Sequence, residues 1–518
     1  MSQFSNSNDE IQSPELTWLG WLRWIWRQLT SMSTALILLL LLAVAAIPGS
    51  IYPQRSADPN GVATYFRDNP TFAGILDTFQ FFDVYSSVWF SAIYILLFIS
   101  LIGCLIPRSI EHYRAMRAEP VKVPTKFDRF PAHAKRKTEK SQKAIYDAAT
   151  QSLRDRGYRV AVRKDGVSAE RGYLRETGNL VFHFALIGVL AAVGIGGAYA
   201  FNGQRVLVEG ETFVHNLSGY DSFSPGVLFN ESQLKPFALT LTKFEALFDL
   251  KNQTNIGNPL DFRAQVSLRT SNTEAAKPGL IRVNEPLEVP GAHVYLTGNG
   301  YAPVMTFRDP DGRVSYSGPV EFLPQDSNYT SLGVVKLPDA KKQFGVIAFF
   351  YPTASKLSTG AMTSKFPGPV DPLLTMNVYE GNLGLDNGAP QNVFTLNVHG
   401  MKQVAGGKSG TKALSLQIGE TKTLPGGLGT VTWDGVKRFA SLDIAYNPTE
   451  VFTLVFALLA MTALGVSLSV SRRRVWVKKT EGGYEIAALA RTHDPRLEAL
   501  VEEICSELEQ KKSGKADK

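Results

Sequence analysis

His183 is the residue whose type and setting most invite chemistry. It lies in a stretch over residues 178–201 that contains no Asp, Glu, Lys or Arg. A helix of about 20 apolar residues crosses the hydrocarbon core of a bilayer, so this stretch predicts a membrane span with one ionisable side chain inside it. Placing such a group in hydrocarbon is costly, and it marks a functional-site hypothesis by default. A neutral imidazole there is a possible metal ligand. The competing reading is a structural histidine bonded to the backbone or a hydroxyl of a neighbouring helix.

The other candidates are weaker. His215, His293 and His399 lie in a long polar region that reads as strands, where lone histidines are mostly surface or satisfied polar groups. His112, His133 and His493 fall in basic loops and tails, which are usually solvated. The two cysteines, Cys104 and Cys505, are far apart, and residues 201–448 have none. That region therefore holds neither a disulfide framework nor a CxxC centre, and if the protein's pathway needs thiol chemistry another chain must supply it. No GxSxG, HExxH or CxxCH pattern occurs, and no catalytic nucleophile–base set is evident. Gly406-Gly407-Lys408-Ser409 imitates the end of a phosphate-binding loop, but the first glycine of that pattern would fall at Lys402.

Four apolar runs position these residues. The sequence predicts a segment over 1–31 with a Trp-rich interfacial helix, carrying Trp18, Trp21, Trp24 and Trp26 beside Arg23 and Arg27. A first span covers 32–50 and is broken at Pro48. An outer loop over 51–86 holds short helices, and a second span over 87–107 ends at Pro107-Arg108. Residues 108–178 form a basic helix-plus-hairpin module, with Asp165-Gly166 as the turn signal. The third span covers 179–200. Residues 201–448 contain short alternating runs divided by Gly and Pro turns, among them 293–296, 304–307, 393–398 and 430–433, which predicts an all-β, sandwich-like domain. A fourth span covers 449–470, and 471–518 is a tail with a short helix over 484–508. The fold class is thus an integral membrane protein with four transmembrane α-helices, a large all-β extracytoplasmic domain and a small α+β cytoplasmic module.

The formal net charge is +7, which alone could suggest nucleic acid. Its distribution argues against that. Residues 108–176 carry 18 Lys+Arg against 9 Asp+Glu, while residues 201–448 carry 21 against 21. The excess therefore lies beside the spans, with Arg472-Arg473-Arg474 closing the fourth. Positive residues mark the cytoplasmic side. The expected topology has both termini cytoplasmic and the β domain outside the cell membrane, with lipid rather than nucleic acid as the partner.

Several stretches together resemble the ResB (CcsB-like) family of cytochrome c biogenesis proteins, System II. They are Pro48-Gly49-Ser50-Ile51-Tyr52-Pro53-Gln54; Asp83-Val84-Tyr85-Ser86-Ser87-Val88-Trp89-Phe90 leading to Cys104-Leu105-Ile106-Pro107-Arg108; Gly172-Tyr173-Leu174 with Gly178 and Phe182-His183; Val283-Asn284-Glu285-Pro286-Leu287 with Gly300-Tyr301-Ala302-Pro303; and Arg472-Arg473-Arg474-Val475-Trp476-Val477. Their order covers nearly the whole chain. The resemblance implies a membrane partner of the ResC (CcsA-like) type, with which the chain carries haem outward and presents it to apocytochrome c. The pair would form a holocytochrome c synthetase (haem lyase) in which this chain is not an enzyme alone, and thiol-reducing proteins would serve the same pathway. His183 matches the family's span-three histidine and would be the haem-iron ligand, with Phe182, Phe184 and Ile187 offering apolar surface to the porphyrin. Asn299 stands where relatives often have a histidine before Gly300-Tyr301-Ala302-Pro303, which argues against a haem-ligand role for that loop. The alternative reading is a membrane-anchored protein that binds or senses an extracellular ligand, with His183 structural.

Overall fold

The computed structural model describes residues 17–251, 256–271, 273–385, 393–407, 409–491 and 494–510. The polar segment over 1–12, Lys408, His493 and residues 511–518 lie outside them. The chain divides into two compact units, one built from the chain up to Ile195 and again from Thr449 onward, the other from Gly196–Pro448.

The helices of the first unit are α1 (Trp18–Leu29), α2 (Met32–Ile51), α3 (Pro59–Asp68), α4 (Pro70–Thr78), α5 (Val88–Arg117), α6 (Gln142–Asp155), α7 (Leu174–Tyr199, which runs on into the second unit), α8 (Glu450–Ser469) and α9 (Leu497–Gln510). Helices α2, α5, α7 and α8 are long and apolar enough to cross a bilayer. Hydroxyl caps start two of them: Ser31 Oγ accepts from Thr34 N at 3.1 Å, and Ser87 Oγ from Phe90 N at 3.3 Å. Two expected ends are corrected. Pro48 does not break α2, which runs on to Ile51. There Pro48 O accepts from Tyr52 N at 2.9 Å, so losing one ladder donor in the last turn does not unwind the helix. Nor does α5 stop at Pro107; it continues to Arg117, because its far end packs on polar partners described below.

Small residues and side-chain hydroxyls hold the long helices together, as they do where lipid removes the hydrophobic drive. A Cβ on Gly178 would lie 2.8 Å from Ala463 O and 3.0 Å from Ser467 N, so α7 and α8 cross almost backbone to backbone. The Phe456 ring occupies the space over Gly188. Tyr94 OH donates to Leu190 O, Ser100 Oγ to Leu29 O at 2.5 Å, and Thr449 Oγ1 to Ala192 O at 2.6 Å.

The same unit contains a five-stranded antiparallel sheet in the order Ala132–Lys137, Gly483–Ala490, Arg473–Thr480, Gly166–Arg171, Arg159–Arg163. Helices α6 and α9 pack on it over a core including Ile145, Leu153, Val167, Val475, Ile486 and Ile504. The hairpin over 159–171 forms as the sequence predicts. The tail is corrected: a second hairpin occupies Arg473–Thr480 and Gly483–Ala490, and helix occupies only Leu497–Gln510. The stretch 473–490 supplies two of the three inner strands, with side chains buried on both faces. Trp476 lies against Phe127 and Phe130 on one side while Val475 and Val477 face the helices on the other. Pairing of Arg171 with Arg473 brings the start of α7 and the end of α8 to one end of the bundle.

The second unit is β-rich, with antiparallel sheets of seven, six, four and two strands among the described residues. Its axis is the pairing of two long strands, Ala292–Arg308 and Gly429–Tyr446. Gly298-Asn299-Gly300 punctuates the sequence like a turn, yet it lies mid-strand. The glycine at 300 is required by close approach, since a Cβ there would sit 2.4 Å from the Phe439 ring. The alternating run at 393–398 is a further correction. It joins no sheet, because Leu396 instead packs flat over Gly345. The turn at Val283-Asn284-Glu285 places Asn284 at φ +63°, a conformation that asparagine tolerates better than most residues.

Candidate functional site

Helices α2, α5 and α7 enclose an apolar cavity of about 510 Å³. Its walls are Leu36, Leu39 and Leu42 of α2, Leu97, Leu101 and Leu105 of α5, and Leu180, Leu186 and Val189 of α7. Four polar or polarisable side chains interrupt this surface: His183, Asn179, Cys104 and Arg108. The helical spacing explains the grouping. Residues 97, 101, 104, 105 and 108 share one stripe of α5, and 179, 182, 183, 186 and 190 share one stripe of α7.

The His183 ring is fixed by its own helix. Nδ1 lies 2.7 Å from the carbonyl oxygen of Asn179, one turn earlier. A carbonyl only accepts, so Nδ1 carries the hydrogen, and in the neutral ring Nε2 keeps a lone pair. Among the described residues Nε2 has no hydrogen-bond partner. The Phe182 ring meets the imidazole edge-on, with centroids 5.1 Å apart. Among the described residues, His183 makes no hydrogen bond to a neighbouring helix. This arrangement, one ring nitrogen held by a carbonyl and the other left as a base, is the one metal-binding histidines use.

A second, polar cavity of about 320 Å³ shares Arg108, Asn179 and Leu180 with the first. Its other lining residues are Glu111, His112, Ala115, Glu176 and Arg491. Here the expectation of a solvated His112 is corrected. The residue is only 8% exposed, since α5 extends past Pro107 and packs it against α7. Its Nε2 lies 2.9 Å from Thr177 Oγ1, and its Nδ1 3.4 Å from Glu176 Oε2. Glu176 also receives Arg472, and Arg491 at 2.6 Å. Glu170, 3% exposed, accepts from Tyr173 OH at 2.5 Å and pairs with Arg474 at 2.6 Å and Arg472 at 3.3 Å. Burial alone would raise the Glu170 pKa, but Tyr173 and the two guanidinium groups outweigh it and hold the carboxyl below the usual range. Burial, followed by the bond to Glu170, pushes the Tyr173 phenol up to about 12.

The profile of the ResB-like family matches residues 32–502. This chain belongs to the ResB-like family. Similar proteins include the cytochrome c biogenesis protein CcsB of Microcystis aeruginosa, 25% identical over 55% of this chain and 62% of the relative. CcsB of Synechococcus sp. strain WH7803 is 28% identical over 52% of this chain and 58% of the relative. Cytochrome c biogenesis protein Ccs1 of Pyropia yezoensis is 23% identical over 53% and 60%. The alignments thus span about three fifths of the length of these relatives.

The remaining candidates of this ResB-like chain fall elsewhere. His215 is buried, with Nδ1 2.7 Å from Lys235 O and its ring stacked on Phe237 at 4.4 Å. Burial lowers its pKa, partly offset by that hydrogen bond. His293 lies on a long strand near Tyr295, and His399 is exposed in a loop. Asn299 Oδ1 accepts from Tyr329 OH and Arg438 Nη2, each at 3.0 Å, so the side chain ties its strand to a loop residue and to the neighbouring strand. Cys505 is buried in the core around α9. Among the described residues no group of three or more His, Cys, Asp or Glu side chains is arranged to hold a metal ion. Phe182 does line the cavity, whereas Phe184 and Ile187 do not. Sequence reasoning passed over Arg108 and Asn179, and weighed Cys104 only as a thiol without a nearby partner. The available signal was their helical spacing, with Asn179 four residues before His183 and Cys104 four before Arg108.

Proposed function

We propose that this chain is the haem-handling subunit of a System II cytochrome c synthetase, in which His183 would hold the iron of haem in transit. The observation that carries the reading is the His183 imidazole on the wall of an apolar cavity, with Nδ1 committed to Asn179 O and Nε2 unpartnered. The cavity suits an apolar macrocycle: aliphatic side chains from three helices face it, and one nitrogen base enters it. Relatives named for cytochrome c biogenesis support the same assignment.

Haem supplies the iron for the imidazole lone pair and the vinyl groups that apocytochrome thiols take up. The protein's part is to hold and orient. Asn179 O fixes the His183 ring, the leucines of α2 and α5 exclude water, and the polar cavity beside Arg108 offers an aqueous approach. The β-rich unit lacks cysteine, so thiol reduction falls to other proteins. A ResC/CcsA-like membrane protein completes the synthetase, and apocytochrome c is the acceptor. The chain is not an enzyme alone. The charge distribution supports a cell-membrane topology with both termini and the α+β sheet in the cytoplasm and the β-rich unit outside. The four tryptophans of α1, all exposed, suit the headgroup layer.

The test is haem absorbance of the chain purified with its membrane partner, native against His183→Ala. Loss of the imidazole-ligated spectrum in the variant is expected. Equal occupancy and an unchanged spectrum would remove His183 from the site.

A further inference from the structure

We infer that Arg108 is the anchor for the carboxylates of the cavity's ligand, gripping the propionates of a haem whose iron faces His183. The inference rests on the proposed haem-handling role and goes beyond it by assigning the ligand's orientation and a second contact residue.

Three observations carry it. Arg108 lines both the apolar and the polar cavity, and among the described residues it is the one Lys or Arg on the apolar one. Among the described residues it has no ion-pair partner, whereas Arg472, Arg473, Arg474 and Arg491 of the same unit are each paired with a carboxylate. Finally, Arg108 and Asn179 stand together where the two cavities meet, while His183 lies one turn along α7 from Asn179, a rise of about 6 Å into the apolar wall.

The match is to an amphipathic ligand. A porphyrin that carries iron at its centre, apolar groups on most of its rim and two carboxylates on one edge would put that edge at the junction. Its macrocycle would then lie among the leucines. A guanidinium suits this contact because it stays charged and binds carboxylates in bidentate fashion. Two acids, Glu111 and Glu176, line the polar cavity. Glu176 is neutralised by Arg472 and Arg491, and Glu111 does not reach the apolar cavity. The bland reading is an arginine snorkelling to the lipid headgroups. An anionic lipid has the same chemistry of charged head and apolar tail, so the experiment must separate the two sources.

The full chain is placed in zwitterionic nanodiscs and titrated with ferric haem and with ferric haem dimethyl ester, which lacks the carboxylates. Soret absorbance reads both affinity and axial ligation. The native chain is expected to prefer the diacid about tenfold, the size of one charge-assisted contact net of desolvation. Arg108→Gln should lose that preference while keeping the imidazole-ligated spectrum, and Arg108→Lys should keep part of it. Equal binding of diacid and diester by the native chain, retention of the preference in Arg108→Gln, or no haem uptake at all overturns the inference. A repeat in nanodiscs containing phosphatidylglycerol identifies the source. If anionic lipid abolishes the preference, Arg108 belongs to lipid and the propionate assignment falls. His183→Ala separates the two ideas: loss of the diacid preference in Arg108→Gln together with an unchanged spectrum in His183→Ala sinks the axial-ligand reading and leaves Arg108 standing.

Discussion

The carbonyl oxygen of Asn179 lies 2.7 Å from Nδ1 of His183, and that bond selects which imidazole nitrogen keeps a lone pair. Because the acceptor is backbone, no side-chain substitution at Asn179 removes it. The imidazole is thereby oriented by the helix itself.

Removing the ring should therefore remove function without unfolding the bundle. His183→Ala in cells that depend on this chain is expected to abolish c-type cytochrome maturation while leaving the protein in the membrane at near-native level. Imidazole added to the medium should restore part of the yield by occupying the vacated space. Haem staining of membranes, with an immunoblot for the chain, reads both. Native yield from the variant without imidazole would end the ligand hypothesis.

A second expectation concerns the crossing of α7 and α8. At Gly178 any side chain meets Ala463 O and Ser467 N, which are backbone and cannot swing aside. Gly178→Val should cost about 1–3 kcal/mol through forced separation of the helices. Gly197 has open space where a Cβ would sit, so Gly197→Ala should be near neutral. Thermal inactivation of detergent-solubilised protein distinguishes them, and equal midpoints for the two variants would contradict the tight crossing.

These examples show how much of the molecule the sequence made legible. The four spans are plain because a run of about 20 apolar residues has few other uses. His183 is equally plain, being the one histidine in such a run. The helix ends were hidden because Pro48 and Pro107 read as stops, while the packing beyond them outweighs the local penalty. Arg108 was hidden for the same reason: it looked like a flanking charge at a helix end, whereas the helix carries it past one cavity and into the next. The inner strands over 473–490 were hidden more deeply. Their side chains are buried on both faces, which erases the alternation that marks a half-exposed strand.

The pair Glu170 and Tyr173 gives an expectation in pH. Glu170 is held below the usual carboxylate range, so the stability it contributes is present above the ordinary value and is lost as pH falls through the lowered one. Tyr173 moves the other way. Its pKa is raised to about 12, so its contribution is present below the ordinary phenol value of 10.0 and lost as pH rises from there through about 12. Glu170→Gln should remove the acid-side dependence, shift the Tyr173 titration downward, and destabilise this unit by about 3 kcal/mol because Arg472 and Arg474 lose a buried partner. The tyrosinate absorbance of the native chain, compared with Glu170→Gln and with Tyr173→Phe to assign the signal, measures the shift. An unchanged Tyr173 transition would show that the carboxylate does not control it.

The last expectation tests the sheet assembled from both sides of the β-rich insert. Val475 is fully buried, pairs with Ala169 on one side and Ala488 on the other, and faces the core under α6 and α9. Val475→Asp places an unpaired carboxylate there, a cost of several kcal/mol that exceeds what one small sheet can absorb. The damage should appear about 300 residues away in sequence, because the hairpin over 159–171 and the strand Ala132–Lys137 both depend on the inserted strands for their sheet position. Val162 is exposed on the edge strand, so Val162→Asp serves as the control and should be silent. Limited proteolysis of intact membranes reads the outcome by mass spectrometry. New cleavage within residues 132–171 in Val475→Asp, absent from native chain and control, is expected. Protection of that segment in the Val475 variant would mean that it folds without the tail, and that the tail's two strands are an addition to the sheet rather than its centre.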